Sequence, residues 1–430
     1  MRILISAVGP DSHPTGICRV AASHTRALLA DRIGKHICLA IGSWQLELFQ
    51  RLLGPYADQV ELVVAKIRNN SASRNFWYAA RLPKLAAQYR ADLVHLTYPA
   101  PTFRRAFHGP VVVTLHDLYP YDIPENFGFP RYYGNRAILR QCLFSVDGIA
   151  CVSSATRSRL EEIFPGLSRK VPTVVTGNYV ESPSGGSTPP AALEGTVAHG
   201  FVLAVAQHRK NKNLDLLIRG FAELIMGGGF DGPLIIVGIE GPETESLNKL
   251  RKSLGVSKRV RFIHSIVDAE LHWLYAQCSL FVACSSMEGY CLPVIEARAN
   301  RARIVCSDIP MLREIGGPQC TYFSLAGDVL SSLVTAMKTR MDLPAIEEGP
   351  DLDLGRSRVL AEYSNLYSHV MPSRFKQTGG IALNANAPDG ALVKGMIREK
   401  QDLLTPEHLR SPLIREANHQ NHKTHASTSD

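Results

Sequence analysis

The sequence predicts an α/β protein of two doubly wound parallel-sheet domains. Three observations carry this. Short apolar runs alternate with amphipathic stretches over most of the chain, the pattern of parallel strands joined by crossover helices. The alternation stops at SPSGGSTPPAALEG (residues 182–195) and restarts at Phe201. A chain of 430 residues, 45% hydrophobic and 20% charged, is also too long for one ordinary core.

In the first half the strand candidates are RILISAV, HICLAIG, QVELVVA, DLVHL, VVVTLH and GIACVS. In the second they are FVLAVA, PLIIVG, RVRFIH, SLFVAC and RIVCSD, with helices near 213–226, 242–254, 268–277 and 293–300. The opening run, Met1 to Val8, is too short for a signal sequence and reads as a buried first strand. We place a first domain at 1–181, a Ser/Pro/Gly-rich linker at 182–200, a second domain at 201–355 and a closing helix at 356–372. Residues 373–430, polar to the end, read as a disordered tail whose four histidines are solvated.

Lys and Arg number 47 against 39 Asp and Glu, a net +8 that favours acidic partners. Nine scattered cysteines with no C-x-x-C pair argue against a zinc knuckle or a disulfide framework and for a reducing cytoplasm. No apolar run approaches the ~20 residues that cross a bilayer.

The most informative stretch is SLFVACSSMEGYCLPVIEARA, residues 279–299. An apolar strand ends in a small-residue loop, and Pro293 opens a helix, where its fixed φ and missing N–H do no harm. The amides of such a turn face outward with partial positive charge, which suits phosphate. Glu288 in the loop is placed to reach a sugar, and Glu296, about one turn into the helix, to accept hydrogen bonds from ribose hydroxyls. Spacing alone leaves a helix cap and a solvated charge equally open for the two.

EGYCLPVIE resembles the signature E-G-(F/Y)-G-L-P-x-x-E of the large retaining nucleotide-sugar glycosyltransferase family of GT-B fold. FVLAVAQHRKNKNLDLLIRGFAEL, RVRFIHSIVDAELHWLYAQCSLFVACSS and SDIPMLREIGG are similar to the family's flanking segments, so the resemblance covers roughly residues 1–370. It implies two Rossmann-like domains facing across a cleft, the second holding the donor. By resemblance, Arg209 and Lys212 neutralise the donor diphosphate, and Gly16, Gly289, Tyr290, Cys291, Leu292 and Glu296 line the donor site. His116, ending VVVTLH, contacts the transferred sugar, so that His116, Lys212 and Glu288 form the catalytic set. Taken alone, RKNK is a solvated basic loop and His116 a structural histidine.

The chain departs from the family in three places. Arg301 and Arg303 stand where the family has glycine and proline, so the turn after the helix must be built differently; Cys291 replaces a glycine and brings a side chain to the pocket rim. An aromatic usual near the last helix is missing from LGRSRVLAEYSNLYSHV. We read Cys291 as a packing residue rather than a reactive thiol.

The family further implies a cytoplasmic, metal-independent enzyme of exopolysaccharide biosynthesis with no cofactor beyond its nucleotide-sugar co-substrate. HDLYP with NKNL looks most like bacterial mannosyltransferases, so GDP-mannose is the expected donor and a UDP-sugar the alternative. The expected acceptor is a glycan or a lipid-linked oligosaccharide on polyprenyl diphosphate; nucleic acid is not a partner. SRNFWYAARLPKLAAQYR presents Phe76, Trp77 and Tyr78 beside Arg81, Lys84 and Arg90. Such a face suits contact with an anionic membrane at the inner face of the plasma membrane. The alternative we favour is a crossover helix burying its aromatics, since Pro83 would interrupt one long surface helix. Two rivals stand beside transfer: a nicotinamide oxidoreductase, for which no G-x-G-x-x-G is found, and a nucleotide-binding scaffold without turnover.

Overall fold

The computed structural model describes residues 1–371 apart from 32, 34, 35, 181–185, 194–199, 265 and 345–351. The expected disordered tail, 373–430, lies outside the described residues, as does most of the expected linker. Two parallel sheets are present. The first lobe orders its seven strands β3-β2-β1-β4-β5-β6-β7, with β1 Arg2–Ser6, β2 His36–Gly42, β3 Glu61–Ala65, β4 Leu93–Leu96, β5 Val111–Leu115, β6 Gly148–Cys151 and β7 Thr173–Val175. The second orders six as β10-β9-β8-β11-β12-β13, with β8 Val202–Val205, β9 Leu234–Val237, β10 Val260–Ile263, β11 Leu280–Ala283, β12 Ile304–Ser307 and β13 Thr321–Phe323.

Helices cover both faces of each sheet, so the central strands read as unbroken apolar runs: Ile3, Leu4 and Ile5 of β1 are all fully buried. The helix Leu214–Met226 lays Leu214, Leu217, Ile218, Phe221 and Leu224 on one stripe against the second sheet. The four helices expected in the second half are present, while Pro310–Gly316 and Val329–Asp342 were not anticipated. Sequence reading missed β7 and β13, each of three residues, which is too short to leave a periodic signal.

In both sheets the order reverses beside the first strand, β1 next to β4 and β8 next to β11. There the crossover helices turn to opposite faces and leave a crevice at the strands' carboxyl ends.

Trp77 and Tyr78 are buried in the first lobe's core and serve packing, whereas Phe76 is 62% exposed. The chain nonetheless stays helical through Pro83. The helix Ser71–Phe76 passes through a π-helical turn, Trp77–Arg81, into Leu82–Tyr89. The Leu82 amide closes the π turn on the Trp77 carbonyl, and Pro83 falls in the first turn of Leu82–Tyr89, where its missing N–H is tolerated.

Between the lobes, Leu193 is buried in the second lobe's core. The helix Leu352–Val370 returns to the first lobe and packs on β6 and β7. A buried polar chain fastens it there. The Tyr367 hydroxyl meets His24 Nε2 at 2.9 Å and His95 Nδ1 at 2.7 Å, His95 Nε2 meets Thr114 Oγ1 at 2.8 Å, and Thr114 meets the Tyr363 hydroxyl at 3.1 Å.

Candidate functional site

Two loops leave the carboxyl ends of β8 and β11 and are zipped to each other. The amide of Ser286 donates to the Asn211 carbonyl (2.9 Å), Asn211 Nδ2 to the Met287 carbonyl (3.2 Å), and Asn213 Nδ2 to the Cys284 carbonyl (3.0 Å). This pairing brings Lys212 to Glu288. Lys212 Nζ and Ser285 Oγ (2.6 Å) both donate to Glu288 Oε1, and the Tyr119 hydroxyl reaches Oε2 from the first lobe at 3.4 Å. The two charged side chains are only 20% and 6% exposed. Burial works against the charge on Lys212, but Glu288 beside it outweighs that and holds the amine above its ordinary range.

His116 follows the end of β5. Its Nε2 donates to the Thr97 carbonyl at 2.9 Å, which leaves Nδ1 as an acceptor. Burial pushes His116 down to about 4, against the pull of that carbonyl, so the ring is neutral at pH 7. The next residue, Asp117, accepts the Tyr119 amide at 3.0 Å. Burial pushes its carboxyl up to about 6, opposed by the Tyr119 amide and assisted by Glu288; Arg209 faces it from the second lobe.

The helix Leu292–Ala299 starts at Cys291, whose φ is +52°. Cys291 thus keeps the left-handed backbone that favours glycine, the residue it replaces. Arg301, also in a glycine's place, has φ +59°; this is how the altered turn is built. The Cys291 thiol lies beside Glu288, and burial followed by that carboxylate raises its pKa far above the ordinary value. Among the described residues, the amides of Gly289, Tyr290, Cys291 and Leu292 donate to no protein acceptor. They lie at a helix N-terminus next to Lys212, which together make a positively polarised anion seat.

Glu296, on the same helix, accepts the Tyr275 hydroxyl at 2.7 Å. Arg19, from the helix Gly16–Ala30, pairs with Asp268 at 2.5 Å and feels the Glu296 charge. Gly16 opens that helix opposite Leu292: a β-carbon on it would lie 3.8 Å from Leu292 Cδ1.

The lobes meet over this seat. Ser153 Oγ donates to the Gly289 carbonyl at 2.8 Å, the Tyr290 hydroxyl to the Asn178 carbonyl at 2.6 Å, and the Ser154 amide to Glu314 at 2.9 Å. The structure therefore gathers Lys212, Glu288, Gly289 and Cys291 under His116, and Gly16 next to Leu292. Glu296 stands apart with Tyr275. The Tyr290 ring reaches the first lobe, so that only its backbone remains at the seat, and the Arg209 side chain makes no hydrogen bond to a described residue. Sequence reading missed Asp117, Tyr119, Arg19 and Ser285. Asp117 had a signal, since it directly follows His116 at a strand end. Ser285 lies three residues before Glu288 in the same loop, while Tyr119 and Arg19 meet the site through contacts across the fold.

Two family models match the chain one after the other, one to each lobe: Glycosyltransferase Family 4 over residues 16–177 and Glycosyl transferases group 1 over residues 198–323. The chain is a GT-B glycosyltransferase. The O-antigen chain mannosyltransferase B of Escherichia coli is 25% identical over 315 residues, 66% of this chain and 82% of that protein. The serotype-specific mannosyltransferase WbdA of Escherichia coli is 27% identical over 238 residues; the match takes 52% of this chain and 29% of WbdA. Among solved structures, HepE of Anabaena in complex with UDP and glucose superposes with a TM-score of 0.58 at 18% identity, over 94% of this chain and 100% of that one, a likeness of fold. No helix among the glycosyltransferase's described residues is long and apolar enough to cross a membrane.

Proposed function

We propose that this glycosyltransferase moves mannose from GDP-mannose, with retention of configuration, to a hydroxyl of a growing glycan or a polyprenyl-diphosphate-linked oligosaccharide in bacterial polysaccharide synthesis. The observation that carries the reading is the seat formed by Lys212 and the free amides of residues 289–292, next to Glu288 and under His116. A diphosphate in that seat gains charge as its bond to the sugar breaks, and fixed cations and amides stabilise that charge without rearranging. Cysteine and arginine in place of two family glycines leave the backbone path intact, which argues for turnover and against a scaffold.

In this reading the acceptor oxygen bonds to the anomeric carbon from the face the diphosphate leaves. The old C–O bond breaks with its electron pair on the nucleoside diphosphate, and a phosphate oxygen takes the acceptor's proton. Neutral His116 offers Nδ1 to a hydroxyl of the transferred sugar. Lys212, Arg209 and the loop amides carry the charge work that other transferases assign to a metal.

Mannose rests on the names of the two Escherichia coli relatives. A UDP-sugar is the second reading, in keeping with the UDP in the HepE structure. Release of nucleoside diphosphate from a panel of nucleotide sugars tests both. The reading expects GDP-mannose to turn over fastest; a UDP-sugar turning over tenfold faster would replace it.

Peripheral contact with an anionic membrane also belongs to this reading, on a different surface from residues 76–90. Phe129, Tyr133 and Phe144 stand 82%, 56% and 52% exposed beside Arg131 and Arg140, with no acidic residue from Phe127 to Ser145. Asn126, just before them, reaches Asn211 of the donor loop at 3.4 Å, so a lipid-borne acceptor there lies near the site. Flotation with phosphatidylglycerol vesicles, lost in Phe129→Ser/Tyr133→Ser/Phe144→Ser, would support this contact; flotation unchanged in the triple variant contradicts it.

A further inference from the structure

Two carboxylates, Glu288 and Asp117, flank the anion seat, and a third, Glu296, stands apart on the helix behind it. Glu288 is taken: Lys212 and Ser285 hold one of its oxygens and the Tyr119 hydroxyl reaches the other. Glu296 is engaged by the Tyr275 hydroxyl. Asp117 alone belongs to the first lobe. Its Oδ1 accepts the Tyr119 amide at 3.0 Å, a bond that fixes the side chain, and its second oxygen takes no hydrogen bond from a described residue. It stands directly against the donor loop, since a β-carbon on Gly289 would lie 3.4 Å from Asp117 Cβ. A carboxylate oxygen without a donor, across from Lys212 and Arg209, is chemically suited to a sugar hydroxyl.

We propose that Asp117 anchors the acceptor sugar by accepting a hydrogen bond from a hydroxyl adjacent to the one that reacts. This rests on the transfer reaction proposed above and adds the residue that selects and orients its acceptor. The reacting hydroxyl keeps its own proton free for the departing phosphate oxygen, so the transfer stays balanced. Asp117 supplies a fixed point on the opposite lobe from the donor, which sets the angle of attack and favours acceptors with two neighbouring hydroxyls. Glu288 from the donor loop, Asp122 from the helix Tyr119–Asp122 and Arg209 from the loop after β8 are the charged groups that face it. With its carboxyl pushed up to about 6 by burial, Asp117 is ionised at neutral pH and loses its acceptor oxygen as pH falls through 6.

The test is steady-state kinetics with GDP-mannose as donor and methyl α-mannoside as acceptor probe, for the wild type, Asp117→Asn and Asp117→Ala, with GDP affinity measured on the same preparations. We expect acceptor KM to rise tenfold or more in both variants while donor KM and GDP affinity stay within twofold. We also expect the wild-type rise in acceptor KM below pH 6 to vanish in Asp117→Asn. Unchanged acceptor KM overturns the proposal, and so does a matching loss of GDP affinity, which would put Asp117 in the donor site. A wild type that binds GDP but transfers nothing from GDP-mannose or a UDP-sugar contradicts the transfer reading itself, and the proposal falls with it.

Discussion

The backbone of Gly289 lies so close to the His116 carbonyl that a β-carbon on residue 289 would stand 1.8 Å from that oxygen. Its φ is not in the left-handed region, so glycine is needed there for the approach of the two lobes and not for a turn. We therefore expect Gly289→Ala to force the first lobe away from the donor loop and to lower transfer at least a hundredfold, with thermal stability changed far less. Small-angle scattering should show a wider particle. Full activity in Gly289→Ala would mean that the lobes do not work in contact.

Lys212 and Glu288 form an ion pair that excludes most solvent. Lys212→Ala should lower kcat on the order of a hundredfold, the usual loss when one preorganised donor to developing charge is removed. It also leaves Glu288 buried and unpaired, a cost of about 3–5 kcal/mol that a melting curve will reveal. Activity near wild type in a folded Lys212→Ala protein would take the lysine out of the charge-stabilising role.

Two family glycines are replaced here by residues that keep positive φ. Arg301 is exposed, so Arg301→Gly relieves left-handed strain without losing packing and should stabilise by about 0.5–1 kcal/mol in urea unfolding. Destabilisation would show that the arginine side chain matters. Cys291, held protonated by burial beside Glu288, should resist iodoacetamide at pH 8 in the folded protein. Rapid labelling at Cys291 would contradict that account.

The histidine chain that fastens the last helix predicts sensitivity to acid. Burial lowers His24 from 6.5 to about 3 and drives His95 well below its ordinary value. Both stay neutral in the folded protein, whereas the unfolded chain takes up protons as pH falls through 6.5. Stability is therefore full above 6.5 and falls by about 1.4 kcal/mol per pH unit for each histidine until the folded pKa is reached. Urea unfolding at pH 7 and 5 should show His24→Gln losing about 2 kcal/mol less than the wild type. Equal losses would mean that His24 is protonated in the folded state.

Much of this architecture was legible in the chain. Strands buried on both faces are continuous apolar runs, and their alternation with helical stretches predicts two parallel sheets. The loop after β11 was legible because EGYCLPVIE places a turn and a helix start within a few residues of a strand end. What sequence could not give is the pairing across the fold. That Tyr119 completes the shell of Glu288, that Tyr275 occupies Glu296, and that Asp117 keeps an open oxygen are facts of tertiary approach, Tyr119 and Glu288 lying 169 positions apart. Pro83 misled for a local reason: the π turn ends before it and leaves it in the first turn of Leu82–Tyr89, where a proline needs no N–H.

The central claim is that Lys212 and the amides of residues 289–292 hold the diphosphate of a nucleotide sugar. Calorimetric titration of GDP, UDP and NAD into the wild type and Lys212→Ala tests it most directly. The account predicts that GDP binds, that its affinity falls at least tenfold in Lys212→Ala, and that NAD does not bind. Binding of NAD with neither GDP nor UDP would contradict it.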